Sequence, residues 1–195
     1  MRRIAGIVLA AGGSTRLGQP KQLLELHGQT LVHAAVRAAQ EGGCDMVCVV
    51  TGQAHAAVES AVADLRPLLA RNETWQRGVG TSIRIGLAAV FPVSAVLLLA
   101  CDQPAVDGNV VRSLIAQHDQ TGKPIVASRY SGTLGIPALF DHSCFAELEI
   151  LPDDRGAKAV IQSDRARVST FEFPGGALDL DTPDDLRAWR TGARI

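Results

Sequence analysis

The chain predicts a three-layer α/β domain, a mostly parallel sheet covered by helices on both faces. Short apolar runs alternate with segments whose apolar residues recur at helical spacing, the mark of repeated strand–helix units. Glycine-rich or polar breaks follow several of those runs, at the edge where such sheets take their ligands. No linker, repeat or low-complexity stretch divides the chain, so residues 1–195 read as a single domain, long enough for one full core.

In order, Ile4 to Ala10 is a first buried strand. It breaks into Leu9-Ala-Ala-Gly-Gly-Ser-Thr-Arg-Leu-Gly-Gln-Pro-Lys21. Apolar residues then return at helical spacing over Leu23 to Ala39. Within that segment Thr30 to Gln40 is a helix, with Leu31, Ala34, Ala35 and Ala38 on one face and Gly42-Gly43 as its stop. Met46 to Val50 is a second buried strand ending at Thr51-Gly52-Gln53, Ala54 to Leu65 a helix, and Leu68 to Arg71 a third strand. The polar stretch Asn72 to Ser82 contains Gly78 and Gly80 and feeds a helix over Thr81 to Val90, whose N-terminus suits an anion.

Ala95 to Ala100 is the most hydrophobic strand and runs into Cys101-Asp102-Gln103-Pro104. A helix over Val110 to His118 and a strand over Pro124 to Ser128 follow. Beyond Arg129 the alternation weakens. Tyr130 to Gly135 is turn-rich, and Ile136 to Phe140 reads as an edge strand, because proline is tolerated there. Ala157 to Gln162 is a helical turn and Val168 to Phe173 a last strand. The chain closes on a helix start, with Thr182 as N-cap, Pro183 in the first helical position and Asp185 three residues on.

Hydrophobic residues at 47% and charged residues at 20% are ordinary for a globular protein. A net charge of −1 argues against a nucleic-acid-binding surface. The longest apolar run, Ala95 to Cys101, is too short to cross a bilayer. Arg2-Arg3 followed by an apolar run imitates a signal peptide, but those residues are needed as the strand feeding the glycine stretch, so a cytoplasmic protein is expected. Cys44, Cys48, Cys101 and Cys144 lack metal-ligand spacing. Cys44 and Cys48 would lie ~13 Å apart along an extended segment, beyond disulfide reach, so buried reduced thiols are expected. The histidines at 27, 33, 55, 118 and 142 are scattered and form no ligand cluster.

A strand that breaks into glycines can turn backbone N–H groups toward an anion. The glycines alone would fit an ordinary strand-to-helix turn; with Arg16 and Lys21 beside them the stretch reads as a phosphate site. Two familiar phosphate loops are excluded by spacing. Lys21 stands three residues after Gly18 and is followed by Gln22, unlike a P-loop, and Gly12, Gly13 and Gly18 do not make Gly-x-Gly-x-x-Gly. Asp102 ends an apolar strand, where a carboxylate beside phosphates suits Mg²⁺; alone it reads equally as a turn aspartate before proline. Asp179 and Asp181 lie on one side of an extended segment, with a plain helix-start role competing for Asp181. No Ser/His/Asp or Cys/His pairing is evident.

The Leu-Ala-Ala-Gly, Arg-x-Gly and Lys pattern of Leu9 to Lys21 resembles the signature of nucleotidyltransferases related to the molybdenum-cofactor guanylyl- and cytidylyltransferases. The resemblance runs on through Asp102 of Asp-x-Pro to Asp181 of Asp-x-Asp-Thr-Pro. It implies a Rossmann-like domain that transfers a nucleotide from an NTP to a phosphorylated acceptor, releasing pyrophosphate, with Mg²⁺ as cofactor. Leu9, Ala10, Ala11, Gly12, Gly13, Lys21, Thr51 and Ser82 would bind the nucleotide. Arg16 would hold the β- and γ-phosphates, and Lys21 would reach the α-phosphate and the incoming phosphate. Arg16, Lys21 and Asp102 form the implied catalytic set, Asp102 and Asp181 the metal ligands, and Gly135 and Pro137 the acceptor contact.

Ala11 in the Leu-Ala-Ala-Gly spelling resembles the cytidylyl branch, which implies CTP, molybdopterin cofactor as acceptor and transient contact with a molybdoenzyme, without nucleic acid or membrane partners. Those cytidylyltransferases carry Gly-His-Pro where this chain has Gly135-Ile136-Pro137, which keeps the turn but lacks the hydrogen-bonding side chain. Two other readings use the same residues: a nucleotidyltransferase for a sugar 1-phosphate or another small phosphate, and a non-catalytic relative that holds nucleotide or cofactor for a partner enzyme.

Overall fold

The computed structural model describes residues 3–13 and 18–178. Arg16, Asp179, Asp181 and the helix start at Thr182 lie outside the described residues. Strands β1 (Ile4–Ala10), β4 (Met46–Thr51), β5 (Leu68–Arg71), β6 (Ala95–Ala100), β7 (Ile125–Tyr130), β8 (Thr133–Asp141) and β9 (Val168–Glu172) form one seven-stranded sheet in the order β5-β4-β1-β6-β8-β7-β9. β2 (Glu25–Leu26) and β3 (Gln29–Thr30) make a separate small hairpin. The helices are α1 (Leu31–Glu41), α2 (His55–Ala61), α3 (Val79–Val90), α4 (Gly108–Thr121), α5 (Phe145–Glu149) and α6 (Lys158–Ser163). The sheet and flanking helices make the expected three-layer, Rossmann-like α/β domain.

The parallel strands read as unbroken apolar runs because both of their faces are covered. In β6, Ala95, Leu97 and Leu99 enter one core with Val32 and Val36 of α1 and Val111 and Leu114 of α4. Val96 and Leu98 enter the other, with Ile83 and Leu87 of α3 and Leu148 of α5. β1 and β4 alternate in the same way, Val8 and Val49 on the first side, Ile7 and Val50 on the second. β1 pairs in parallel with β4 on one side and β6 on the other, so the ends of all three strands reach one edge.

Helix starts follow local capping. Thr30 accepts a hydrogen bond from the His33 amide at the head of α1. Asp107 accepts from the amides of Asn109 and Val110, each at 2.9 Å, so α4 begins two residues before the sequence-predicted Val110. α3 likewise begins at Val79 rather than Thr81, which brings Gly80, Thr81 and Ser82 into its first turn.

Two expectations are corrected. The helical spacing from Leu23 does not give a helix before Leu31; Lys21–Leu23 is a 3-10 turn followed by the β2–β3 hairpin. That hairpin turns at His27 and Gly28, both with positive φ (51° and 78°), the conformation a two-residue primed turn requires. Ile136 to Phe140 is not an edge strand either. It belongs to β8, which lies between β6 and β7 and runs antiparallel to both. Pro137 is accommodated because the pairing of β8 with β6 stops at Ala138, and β7 carries an irregularity between Ala127 and Ser128 opposite this point. Ser128 Oγ donates to the Pro137 carbonyl at 2.6 Å, closing the local gap in the ladder.

Candidate active site

Where β1 and β6 end, a cleft of about 240 Å³ opens. It is lined by backbone and side chains of Leu9, Ala11 and Gly12 from the glycine stretch, by Lys21 and Gln22 just after it, by Val79 and Ser82 of α3, and by Cys101 and Asp102 after β6. Of the sequence-predicted residues, the structure thus brings Leu9, Ala11, Gly12, Lys21, Ser82 and Asp102 together. The Lys21 ammonium is hydrogen-bonded and ion-paired with an Asp102 carboxylate oxygen. Side-chain exposures of 20% and 15% keep the pair partly screened from water yet accessible from the cleft. A cation and a carboxylate 81 residues apart in sequence meet here because β1 and β6 are hydrogen-bonded neighbours.

The shape of the loop rests on a residue that the sequence reading passed over. Gln22 is 1% exposed, and its side-chain amide donates to the carbonyls of Ala10 (3.0 Å) and Gly12 (2.6 Å). One buried amide therefore holds both ends of the Ala10–Gly12 turn. Gly13 lies so close to Trp75 that a Cβ there would sit 2.8 Å from the indole ring. Trp75 also lines the cleft.

The polar stretch after β5 is organised by Asn72, which is 1% exposed. Its side-chain nitrogen donates to Thr81 Oγ1 (2.8 Å) and Ser82 Oγ (2.9 Å), and its side-chain oxygen accepts from the Thr74 amide and hydroxyl. The Asn72 amide itself donates to the Thr51 carbonyl at 2.8 Å, so the end of β4 and the first turn of α3 form one unit. Thr51, at the end of β4, is fully buried, does not line the cleft, and leaves its Oγ1 without a partner among the described residues. Asn72 was legible only as part of a polar run; an isolated buried amide between a strand and a glycine-bearing helix start is the signal that would have found it.

Cys101 borders the cleft, but burial first, and then the neighbouring Asp102 charge, push its thiol up to about 12. It is protonated at neutral pH and does not serve as a nucleophile. Cys44, Cys48, Cys101 and Cys144 are all free, as the sequence implied. Among the described residues, no group of three or more His, Cys, Asp or Glu side chains gathers to hold a metal. Among the described residues Asp102 is the carboxylate lining the cleft, a hard donor suited to a cation that takes its remaining ligands from phosphates and water.

A second cleft of about 320 Å³ adjoins the first and shares Leu9, Val79 and Ile136 with it. Tyr130, Leu134 and Gly135 from the β7–β8 turn region and Ala157 and Lys158 at the head of α6 complete its wall. Gly135 therefore reaches a cleft wall, whereas Pro137 is buried behind it. The Tyr130 hydroxyl donates to the Ile136 carbonyl at 2.9 Å, and Gln103 Nε2 donates to the same carbonyl at 3.2 Å.

A glycine turn closing a central parallel strand, a lysine and a carboxylate at the same edge, and an adjoining second cleft define a protein of the nucleotide-transferring α/β class. The chain belongs to the MobA-like NTP transferase domain family, whose pattern matches residues 6–168. Among solved structures it is similar to Rv0371c from Mycobacterium tuberculosis H37Rv, with 35% identity, a TM-score of 0.84, and coverage of 95% of this chain and 96% of that one. A complex of Rv0371c with manganese gives a TM-score of 0.79 at 33% identity, covering 95% of this chain and 96% of that one. The purine catabolism protein PucB of Bacillus subtilis is 27% identical over 93% of each chain. Nicotine blue oxidoreductase of Paenarthrobacter nicotinovorans is 38% identical over 59% of this chain, and that match spans 57% of the relative's length.

Proposed function

We propose that the protein transfers CMP from CTP to the phosphate of a small-molecule acceptor, with molybdopterin cofactor as the leading candidate, and releases pyrophosphate. The observation that carries this is the Lys21–Asp102 pair inside the cleft formed by the glycine turn. With nucleotide bound, the two would take separate roles: Lys21 would reach the α-phosphate and the incoming phosphate, and Asp102 would serve as a ligand for a divalent cation. Leu9, Ala10, Ala11, Gly12 and Gly13 cradle the nucleotide from the backbone side, with Arg16 on the β- and γ-phosphates and Ser82 at the first turn of α3. Thr51 contributes from behind the turn rather than by side-chain contact, because its side chain is buried.

The chemistry asks little of a general base. A phosphate monoester carries about −1.5 to −2 charge at pH 7, so its oxygen is already a nucleophile. That oxygen forms a bond to the α-phosphorus, the bond from the α-phosphorus to the bridging oxygen breaks, and its electron pair leaves with pyrophosphate. Lys21 and Arg16 hold the phosphates in line and offset their charge. Asp102, with Asp181 as its partner, would hold Mg²⁺, which supplies charge neutralisation at the phosphates. The manganese complex of the Rv0371c relative supports a divalent-cation site in this protein. No described helix is long and apolar enough to cross a membrane, and a cytoplasmic enzyme in transient contact with a molybdoenzyme fits this reading.

The test is pyrophosphate release with each of the four NTPs against a panel of phosphorylated acceptors. CTP is expected to be the preferred donor, because Ala11 lines the cleft beside the glycine turn and a pyrimidine needs less room there than a purine. A clear preference for GTP moves the protein to the guanylyl branch, and no release with any pair defeats the catalytic reading.

A further inference from the structure

We infer that Gln103 is a positioning residue: it tethers the segment leading to Asp179 and Asp181 beside Asp102, and so sets where the second carboxylate of the cation site can lie. This rests on the metal reading proposed for Asp102 and Asp181, but its own basis is a set of hydrogen bonds among described residues. Gln103 directly follows Asp102 and is 5% exposed. It lines neither cleft, so whatever it does for the reaction it does through other residues.

Gln103 Nε2 donates to two carbonyls, those of Ile136 (3.2 Å) and Gly176 (3.1 Å). The Ile136 carbonyl also accepts from the Tyr130 hydroxyl, so β8 stays anchored without Gln103. For the Gly176 carbonyl, Gln103 is the side-chain donor among the described residues. Gly176 belongs to the 3-10 turn Pro174–Ala177 that follows β9. The hydrogen bonds of that turn's own amides are local, from Gly176 to the Phe173 carbonyl (2.9 Å) and from Leu178 to the Gly175 carbonyl (3.3 Å). The turn is wedged as well as tethered, since a Cβ on Gly176 would lie 2.6 Å from a Tyr130 ring carbon. The Gln103 side-chain oxygen, by contrast, is buried without a partner. A side chain present only to fill space would not strand a buried acceptor, so the amide serves through its N–H groups.

Asp179 and Asp181 follow Gly176 by three and five residues. A chain spans at most ~3.6 Å per residue, so Asp181 lies within ~18 Å of Gly176 whatever path it takes. Two carboxylates that share one Mg²⁺ must each approach to ~2.1 Å, a far narrower condition. Fastening Gly176 to the residue after Asp102 removes arrangements in which the second carboxylate is carried away from the first. The entropy of bringing the two together is then met largely on folding rather than on cation binding.

The probe is Mn²⁺ alone, titrated into the full chain and followed by electron paramagnetic resonance without nucleotide, so the choice of donor base does not enter. Gln103→Leu should weaken Mn²⁺ binding about fivefold, the scale of one lost hydrogen bond, and Asp181→Asn should weaken it more. The double variant should bind like Asp181→Asn, because the placement of a carboxylate no longer present has nothing to act on. Amide hydrogens of residues 174–178 should exchange faster in Gln103→Leu than in wild type. Gly176→Ala displaces the same turn from its other side and should reproduce the Mn²⁺ loss, which keeps the test decisive if Gln103→Leu fails to fold by circular dichroism. A role confined to stability would lower denaturation midpoints without depending on Asp181. If Asp181→Asn weakens Mn²⁺ binding but Gln103→Leu and Gly176→Ala do not, the inference is overturned and the metal reading stands. Losses that add in the double variant, or unchanged exchange over residues 174–178, overturn it in the same way. Wild type that holds no Mn²⁺, or Asp181→Asn that binds as wild type does, overturns the metal reading and the inference with it.

Discussion

The two halves of the sheet do different work. β5, β4, β1 and β6 are all parallel, the last three are buried on both faces, and the edge where β1 and β6 end carries the glycine turn, Lys21 and Asp102. β8 runs antiparallel between β6 and β7, with β9 beyond, and this mixed half supplies Tyr130, Leu134 and Ile136 to the second cleft. The parallel half gathers the charged pair Lys21 and Asp102, the groups proposed above to handle phosphates. The mixed half contributes mainly apolar side chains to the second cleft. The two clefts are thereby built from different parts of the sheet and meet at Leu9, Val79 and Ile136.

The largest effect should come from the charged pair of the parallel half. Asp102→Asn keeps the shape of the carboxylate but not its charge, and turnover should fall by at least ~10³-fold. Lys21→Ala should lose at least ~10²-fold in turnover, the scale of a missing electrostatic stabiliser. It should at the same time bind Mn²⁺ more tightly than wild type when no nucleotide is present, because the ammonium no longer occupies Asp102. A Lys21→Ala protein with wild-type turnover would remove the glycine turn from the chemistry.

Gln22→Leu tests whether the turn needs its buried clamp. The leucine is close in size but leaves the Ala10 and Gly12 carbonyls without their donor. The KM for nucleotide should rise about tenfold while acceptor affinity stays put. An equal rise for both substrates would show that Gln22 supports the domain rather than the turn.

The smallest effect sharpens the boundary between the two halves. Asp153 pairs with Arg84 and, at 2.6 Å, with Arg77, while Arg84 also donates to the Leu151 carbonyl. These bonds tie the segment leading to Gly156, Ala157 and Lys158 onto α3. Asp153→Asn should therefore raise the acceptor KM a few-fold and leave the nucleotide KM nearly unchanged. The hydrogen bond from Arg84 foremost, and the charges of Arg77 and Arg84, hold the Asp153 carboxyl below its usual 3.8. Since its folded value is depressed, the stabilisation is present above pH 3.8 and disappears as pH falls through the lower folded value. Denaturant midpoints measured down through that range should drop more steeply in wild type than in Asp153→Asn; parallel curves would contradict it.

Legibility in the sequence divides along the same line. β1, β4 and β6 were readable because strands buried on both faces leave continuous apolar runs, and Asp102 was placed because it ends the most apolar of them. β8 was misjudged as an edge strand because Pro137 carries a strong local rule, while the irregularity in β7 that makes room for it belongs to another strand. Gln22 and Asn72 were passed over for a related reason. Each acts through a buried amide bonded to residues ten or so positions away, and such contacts leave no periodicity behind. Tyr130 and Lys158 belong to the weakly patterned second half, where nothing local announces a cavity.

The central claim is that the cleft holding Lys21 and Asp102 performs metal-dependent nucleotidyl transfer. Its most direct test is the initial rate of pyrophosphate release from CTP as Mg²⁺ is titrated, with a saturating phosphorylated acceptor drawn from the panel above. The account predicts a rate that rises to saturation with Mg²⁺, falls to background in chelator, and requires the acceptor. Release that proceeds at full rate in chelator, or that is indifferent to the acceptor, would contradict it.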